Sequence, residues 1–158
     1  MKIQKAYFAA GSFWEVQASY EEIEGVLATR VGYMGGFMPY PKHQDVVKGF
    51  TGHAQTVEVL FNEDEVSYRE LADYFFEIHN PTTLNCQGPD EGTAFRSVLF
   101  YLNLEQKTQA LLAKDFFDAE NIYHKPAVTH IRPADKFYIA EEEHQYFVEK
   151  HPELLSFG

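Results

Sequence analysis

The sequence predicts an α+β fold, a two-layer sandwich with a ferredoxin-like βαββαβ core and C-terminal additions. Two observations lead to this prediction. Runs of β-branched and aromatic residues alternate with amphipathic runs in that order along the chain. The chain also has 158 residues, of which 45% are hydrophobic, enough for one well-filled core. We therefore expect residues 1–158 to form a single domain.

Local patterns place the individual elements. The β-rich runs predict strands over 3–9, 26–33, 56–61, 95–101 and 128–131. The amphipathic runs predict helices over 13–23, 67–78, 104–120 and 141–150. Ser67 and Glu70 have the spacing of a capping box, which fixes the start of the second helix. The polar, glycine-bearing stretches over 34–45 and 80–93 are expected to be long loops.

Composition narrows the classes of function. The formal net charge of −11 argues against a nucleic-acid partner, because such proteins concentrate positive charge. No apolar run is long enough for a signal peptide or a membrane span, so we expect a cytoplasmic protein that does not bind membranes. Cys86 is the only cysteine, so an intrachain disulfide is impossible, which fits a reducing compartment.

The stretch from Ala9 to Glu15 joins the first strand to the first helix. Free N–H groups and the positive end of the helix dipole surround position 12. A cysteine there would become a strong nucleophile, whereas the hydroxyl of Ser12 needs a base to activate it. Ser12 and Glu15 also have capping-box spacing, so we favour a structural cap over a catalytic serine.

Several blocks of sequence together resemble the A-type peptide methionine sulfoxide reductases. They are Gly11-Ser12-Phe13-Trp14, Gly32-Tyr33-Met34-Gly35-Gly36, Gly49-Phe50-Thr51-Gly52-His53-Ala54, His79-Asn80-Pro81-Thr82-Thr83, Gln87-Gly88-Pro89-Asp90-Glu91-Gly92-Thr93 and Arg96-Ser97. The resemblance implies reduction of methionine S-sulfoxide, in peptides or free, to methionine. It also implies an external thiol reductant, thioredoxin or a dithiol, and no other cofactor.

The resemblance assigns roles to individual positions. Ser12 stands at the nucleophilic cysteine and Gln55 at the glutamate that serves as the acid. An amide can donate a hydrogen bond but cannot give up a proton at neutral pH. The predicted substrate-binding residues are Phe13 and Trp14 at the methyl slot, Asp90 at the substrate amide, His53, and His43 and Phe95 at two tyrosine positions.

Four polar positions therefore differ from the family pattern: Ser12, Gln55, His43 and Phe95. A laboratory knock-out explains one or two such changes, whereas four together favour natural divergence of the site. His43 retains the ability to donate a hydrogen bond or a proton, and Phe95 does not. The tail over 151–158 contains no cysteine to resolve a sulfenic acid at position 12.

Cys86 is the remaining candidate for catalysis, and three interpretations stay open. An inert loop cysteine ranks first. A relocated nucleophile, which needs a nearby cation, ranks second. A metal site formed by His43, His53 and Cys86 ranks third. Glu141 to Glu143 is interpreted as a solvated helix start.

Three hypotheses of function follow. The first is a methionine S-sulfoxide reductase scaffold that is inactive or altered because Ser12 occupies the nucleophile position. The second is a scaffold that acts on another small sulfur-containing substrate through Cys86, His43 and His53, with or without a metal. The third is a binder of methionine sulfoxide without turnover. We adopt the first as the functional assignment.

Overall fold

The fold is mixed α/β, as predicted, and centres on one six-stranded sheet. The computed structural model describes residues 1–153, so residues 154–158 of the expected domain lie outside the described residues. The strands are β1 (Ile3–Ala10), β2 (Val26–Met34), β3 (Ala54–Asn62), β4 (Cys86–Gln87), β5 (Asp90–Glu91), β6 (Ser97–Tyr101), β7 (His130–Pro133) and β8 (Tyr138–Ile139). The helices are α1 (Phe13–Glu21), α2 (His43–Val47), α3 (Tyr68–Glu77), α4 (Leu104–Glu120) and α5 (Phe147–Lys150).

The strands of the main sheet lie in the order β7-β6-β1-β3-β2-β8. β1 pairs antiparallel with both β3 and β6, and β2 pairs antiparallel with β3 and β8. Only β7 runs parallel to its neighbour, β6, among the pairs of this sheet. β4 and β5 form a separate two-stranded hairpin. The register of β2 and β3 places Gln55 opposite Tyr33, close to the start of α1.

Two apolar clusters lie on the two faces of the sheet. The larger one joins inward-facing side chains of the sheet, such as Phe8, to α1, α3 and α4 through Phe13, Phe75 and Phe117. The smaller one contains Tyr7, Ala9, Met34, Ala54, Val98 and Phe100, and residues Ala134 and Phe137 pack against it. The helices therefore cover one face, and the segment before β8 covers part of the other.

Most predicted boundaries agree with the structure to within a few residues. The capping box of α3 is present: Ser67 Oγ accepts the Glu70 N–H at 3.0 Å, and Glu70 Oε1 accepts the Ser67 N–H at 3.3 Å. The loop predicted over 34–45 contains the start of α2, and the loop over 80–93 contains the β4–β5 hairpin. The strand predicted from Phe95 begins at Ser97, because residues 93–95 form a 3-10 turn.

The helix predicted over 141–150 is wrong in its first half. Residues Glu142–His144 form a 3-10 turn, and α5 begins only at Phe147. The side chain of buried Gln145 accepts the Val31 N–H and donates to the Val31 carbonyl, both at 2.9 Å. Tyr146 then takes a left-handed backbone conformation, with φ of 54°, which no α-helix accommodates. These tertiary bonds override the helical pattern.

No helix within residues 1–153 has the length and apolar character needed to cross a membrane.

Candidate functional site

The turn between β1 and α1 is held against the loop that carries the β4–β5 hairpin. Gly11 has φ of +98°, and a Cβ built on it would lie 2.8 Å from Cγ of Gln87. The Gln87 amide is itself fixed, because it accepts the Asn80 N–H and donates to the Asn80 carbonyl, both at 2.8 Å. Only glycine permits this backbone and this close approach. The hairpin loop therefore forms one wall beside Ser12.

Ser12 is the N-cap residue of α1, but its side chain does not cap the helix. Its carbonyl accepts the Val16 N–H, while its hydroxyl makes no capping hydrogen bond. The capping box expected between Ser12 and Glu15 is therefore wrong. Ser12 lines a cavity of about 220 Å³ together with His79 and Asp90. Within residues 1–153, no base is hydrogen-bonded to this hydroxyl, as catalysis by serine would require.

Gln55 satisfies the first N–H of α1, which an N-cap serine does not reach. Its side chain is buried, and Oε1 accepts the N–H of Phe13, the first helical residue, at 3.0 Å. This bond satisfies one of the free N–H groups of the helix start and fixes the amide oxygen. The Nε2 hydrogens of Gln55 remain as the donors of this amide group.

Five rings form what we call the aromatic cluster: Phe13, Trp14, His43, His144 and Phe147. Trp14 stacks on Phe147 with ring centroids 3.9 Å apart, and His43 and His144 each lie 5.7 Å from the indole. The His43 and His144 rings stack at 4.1 Å. Phe13 is fully buried and contacts His43 at 5.6 Å. The structure thus brings together Phe13, Trp14 and His43, three of the predicted substrate-binding residues.

His144 and Phe147 are cluster members that sequence reasoning missed. Nδ1 of His144 accepts the indole N–H of Trp14 at 3.2 Å, so the neutral His144 ring carries its proton on Nε2. The two residues are 130 positions apart in sequence, and no spacing rule relates them. No pattern in the sequence distinguishes His144 and Phe147, since the burial of neighbouring Gln145 is visible only in the structure.

His43 is held by its backbone, and its ring lacks one polar contact. Its N–H donates to Glu141 Oε2 at 3.0 Å. Nδ1 is buried without a hydrogen-bond partner among the described residues. Burial, with a smaller contribution from neighbouring His144, lowers the pKa of His43 below its usual value, against the opposing effect of Glu141 and Glu143. The ring is therefore neutral at pH 7.

Glu141 connects the cluster to the sheet, so its interpretation as part of a solvated helix start is wrong. Oε1 accepts the hydroxyl of buried Tyr33 at 2.8 Å, and Oε2 accepts the His43 N–H. Burial favours the neutral acid, but these two bonds and His144 hold the pKa of Glu141 below its usual value. Burial and the bond to Glu141 raise the pKa of Tyr33, which keeps its proton.

His53 lies outside the aromatic cluster and supports a loop. Its Nδ1 accepts the Gly36 N–H at 2.9 Å, and Nε2 lies 2.8 Å from the Met38 carbonyl. Both ring nitrogens are therefore engaged by the backbone of residues 36–38. His53 is not available as a metal ligand in this arrangement, and it does not contact Ser12 among the described residues.

Asp90 and Phe95 take different positions. Asp90 lies on β5, borders the cavity beside Ser12 and pairs with Gln87 in the hairpin. Phe95 is buried and belongs to the larger apolar cluster, along with Phe13. Asp90 is thus placed where a ligand in the cavity would meet it, and Phe95 supports the wall from behind.

Cys86 is partly exposed and lies on β4 opposite Glu91. Its Sγ lies 3.5 Å from the Gly88 carbonyl oxygen. The relocated-nucleophile interpretation requires a cation near Cys86, for which a protonated His43 is the candidate. The lowered pKa of His43 disfavours that charge, and the hairpin from Cys86 to Glu91 itself contains no cationic residue.

The proposed metal ligands His43, His53 and Cys86 do not come together, so that interpretation is wrong. Within residues 1–153, the one grouping of three possible ligands is Glu141, Glu143 and His144, whose ligand atoms lie within 4.8 Å of one another. In that grouping both oxygens of Glu141 and Nδ1 of His144 already accept hydrogen bonds from the protein.

The fold and this site define a class of protein, and comparisons with known proteins agree on it. The family described as "Peptide methionine sulfoxide reductase" matches residues 4–156. The peptide methionine sulfoxide reductase MsrA of Methanothermobacter thermautotrophicus is 47% identical over 151 residues, which cover 96% of this chain and 89% of the relative. The chain therefore belongs to the peptide methionine sulfoxide reductase family.

Solved structures give the same result. Mxr1 from Saccharomyces cerevisiae in reduced form is 32% identical, with a TM-score of 0.90 over 96% of this chain and 87% of that chain. A structure of Mxr1 in complex with Trx2 is 26% identical, with a TM-score of 0.65 over 92% of this chain and 85% of that one. The reductase scaffold expected from the sequence blocks is confirmed.

Proposed function

We propose that the chain binds methionine S-sulfoxide at the start of α1 and that reduction there requires a thiolate at position 12. The observation that carries this proposal is that Ser12 lines a cavity while its hydroxyl makes no capping bond. The helix dipole stabilises a thiolate at this point but is too weak to ionise a hydroxyl. The chain therefore holds a reductase pocket without its attacking sulfur.

Different residues near the start of α1 are proposed to contact different parts of the substrate. Phe13 and Trp14 are proposed to supply apolar rings for the S-methyl group, and the Nε2 hydrogens of Gln55 to donate to the sulfoxide oxygen. Phe13 and Gln55 are buried and do not line the cavity beside Ser12, so binding there requires the aromatic cluster to open. Asp90, beside Ser12, accepts the backbone N–H of the substrate. Neutral His43 contributes a ring of the slot rather than a charge.

The reaction with a thiolate at position 12 balances as follows. The sulfur attacks the sulfoxide sulfur and takes its oxygen, so methionine is released and the thiol becomes a sulfenic acid. A dithiol then reduces the sulfenic acid, the oxygen leaves as water, and the dithiol becomes a disulfide. Because Mxr1 has been solved with Trx2, we propose a thioredoxin-type dithiol as the reductant and a cytoplasmic setting.

The test compares four proteins in the presence of dithiothreitol: the chain with Ser12, Ser12→Cys, Cys86→Ser and the double variant Ser12→Cys/Cys86→Ser. The substrate is N-acetyl methionine S-sulfoxide amide, with the R epimer as a stereochemical control, and the thioether formed is quantified. We expect turnover of the S epimer by both Ser12→Cys proteins and none by the other two.

Two outcomes contradict the proposal. Thioether from the chain with Ser12 that disappears in Cys86→Ser would place the nucleophile on the hairpin. If neither Ser12→Cys protein formed thioether, although circular dichroism and unfolding curves showed both to be folded, the chain would not contain a reductase pocket. The single tryptophan, Trp14, gives an independent readout, since its fluorescence should change saturably as methionine S-sulfoxide binds to the chain with Ser12.

Adding Gln55→Glu to Ser12→Cys separates binding from proton donation. A carboxylic acid accepts the Phe13 N–H as the amide does and also supplies a proton, which the amide does not. We expect a gain of about a hundredfold in kcat with little change in KM, the usual size of general-acid catalysis. Equal kcat values for the two proteins would show that Gln55 does not stand at the acid position.

A further inference from the structure

A cavity of about 460 Å³ opens on the face of the sheet opposite to α1, α3 and α4. β6 and β7 form its floor, and they pair in parallel with Val98 opposite His130 and Phe100 opposite Arg132. Residues that alternate along a strand, and directly paired residues of neighbouring strands, point to the same face. His130 and Arg132 therefore stand side by side above the floor that Val98 and Phe100 form.

Arg96 precedes β6 by one residue and brings a second guanidinium to the same cavity. Its Nη1 donates to the Thr93 carbonyl at 2.8 Å. A Cβ built on Gly35, whose φ is +90°, would lie 3.1 Å from Nη2 of Arg96 and 3.0 Å from Phe100. The absence of a side chain at Gly35 therefore lets the backbone approach the guanidinium and leaves the cavity open above it.

The two arginines of this cavity differ from the other two arginines of the chain. Arg30 and Arg69 lie 2.6 Å and 3.0 Å from carboxylate oxygens. Arg96 and Arg132 have no such ion pair within residues 1–153, although the net charge of −11 leaves carboxylates in excess. Burial lowers the pKa of Arg96, and the charge of Arg132 lowers it further.

Asp135 is the one carboxylate among the residues that line the cavity. Its Oδ1 accepts the Lys136 N–H at 2.8 Å, and it forms no ion pair with either arginine in the described part of the chain. The arrangement therefore keeps an excess of positive charge at a concave surface. An anion would lower the electrostatic energy of both arginines.

The geometry also limits the kind of anion. One guanidinium suffices for a carboxylate, which it binds through two parallel hydrogen bonds. Two guanidiniums and an imidazole match a group with two negative charges and several acceptor oxygens, as phosphate has. A polyanion such as nucleic acid would be repelled by the strongly acidic remainder of the chain.

We propose that Arg96, Arg132 and His130 form a binding site for a dianionic phosphate group, either free phosphate or a small phosphomonoester. The volume of about 460 Å³ exceeds what a bare phosphate fills and lies within the range of small-molecule sites. The site lies on the opposite face from the aromatic cluster and does not depend on the function proposed for Ser12.

Isothermal titration at low ionic strength tests the proposal, with inorganic phosphate in one arm and glycerol 3-phosphate in the other. We expect saturable binding of at least one of the two ligands. The ligand that binds more tightly shows whether the site takes free phosphate or a phosphomonoester. Arg132→Gln should weaken binding at least about tenfold, the loss expected for a charge-assisted hydrogen bond. Arg132→Lys, which keeps the charge without the planar fork, should weaken it less.

The control is Lys125→Gln, which removes an exposed cation outside the cavity and should leave the affinity unchanged. Arg132 is exposed on β7, so unfolding curves of its variants should match those of the parent chain. The proposal is overturned by the absence of saturable binding in both arms. It is equally overturned if Lys125→Gln weakens binding as much as Arg132→Gln, or if acetate binds as tightly as phosphate.

Discussion

Two Ser-x-x-Glu sequences of this chain, Ser12 to Glu15 and Ser67 to Glu70, stand at the starts of helices and give opposite results. At α3, Ser67 and Glu70 exchange both bonds of a capping box on the protein surface. At α1, Ser12 occupies the same position, but its hydroxyl caps nothing. The backbone differs accordingly, with ψ of 158° at Ser67 and 120° at Ser12.

The cause lies outside the local sequence. Gln55 reaches across from β3 and accepts the first N–H of α1, so that a long-range contact satisfies the helix start. Gly11 and Gln87 meanwhile hold the turn against the hairpin loop. Ser12 then lines the cavity, and its hydroxyl makes no capping bond.

The largest expected effect is a pH dependence of the free energy of unfolding, which arises at the cavity beside Ser12. His79 borders the cavity beside Ser12, bonds to the Phe75 carbonyl and Ser97 Oγ, and is buried. Burial lowers the pKa of His79 to about 4, from a usual value of 6.5. Between these values the unfolded chain binds more protons than the folded one, so the free energy of unfolding falls as pH falls.

When the pH falls from about 6.5 to about 4, His79 should lower the free energy of unfolding by about 3 kcal/mol. Urea unfolding at a series of pH values measures it, with His79→Gln as the control because an amide keeps similar bonds without titrating. If His79→Gln lost stability over this pH range as steeply as the parent chain, the pH dependence would not come from His79.

Replacing Gln55 tests the long-range contact directly. Gln55→Leu leaves the buried Phe13 N–H without its acceptor, and we expect a loss of about 2 kcal/mol in the free energy of unfolding. Gln55→Glu retains an acceptor oxygen at pH 7 and should lose less. Chemical denaturation of the three proteins measures both differences. Equal losses in the two variants would mean that the bond to Phe13 does not hold the start of α1.

The smallest effect is the direct comparison of the two serines. Ser67→Ala removes a working N-cap and should lower the free energy of unfolding by about 1 kcal/mol. Ser12→Ala removes a hydroxyl that caps nothing and should change it by less than about 0.5 kcal/mol. The same denaturation experiment gives both values. A loss for Ser12→Ala as large as that for Ser67→Ala would show that Ser12 caps α1 in solution.

The sequence predicted those parts of the fold that local patterns decide. β1, α1, β2 and β3 are all within a few residues of their predicted ranges, as are α3 with its cap and α4. The segment after Ala140 could not be predicted, because the bonds between Gln145 and Val31 join residues 114 positions apart. β8 was missed because a two-residue strand is too short to leave a pattern.

The candidate site likewise contains residues that the sequence identified and residues that only the structure shows. The blocks of sequence identify Ser12, Phe13, Trp14 and Gln55, which the structure places around one helix start. The sequence did not identify His144, which orients the Trp14 indole. Nor could it show that His53 uses both ring nitrogens on the backbone of residues 36–38. Residue type and spacing do not reveal which hydrogen-bond partners a folded chain supplies.

We propose that position 12 is the attacking position of this reductase scaffold. A single-turnover experiment on Ser12→Cys/Cys86→Ser tests it most directly, because the thiol at position 12 is then the only one in the chain. Without added thiol, we predict one equivalent of methionine per protein and a protein mass increased by one oxygen atom, the signature of a sulfenic acid. A folded double variant that releases no methionine from the S-sulfoxide and gains no oxygen would contradict the account.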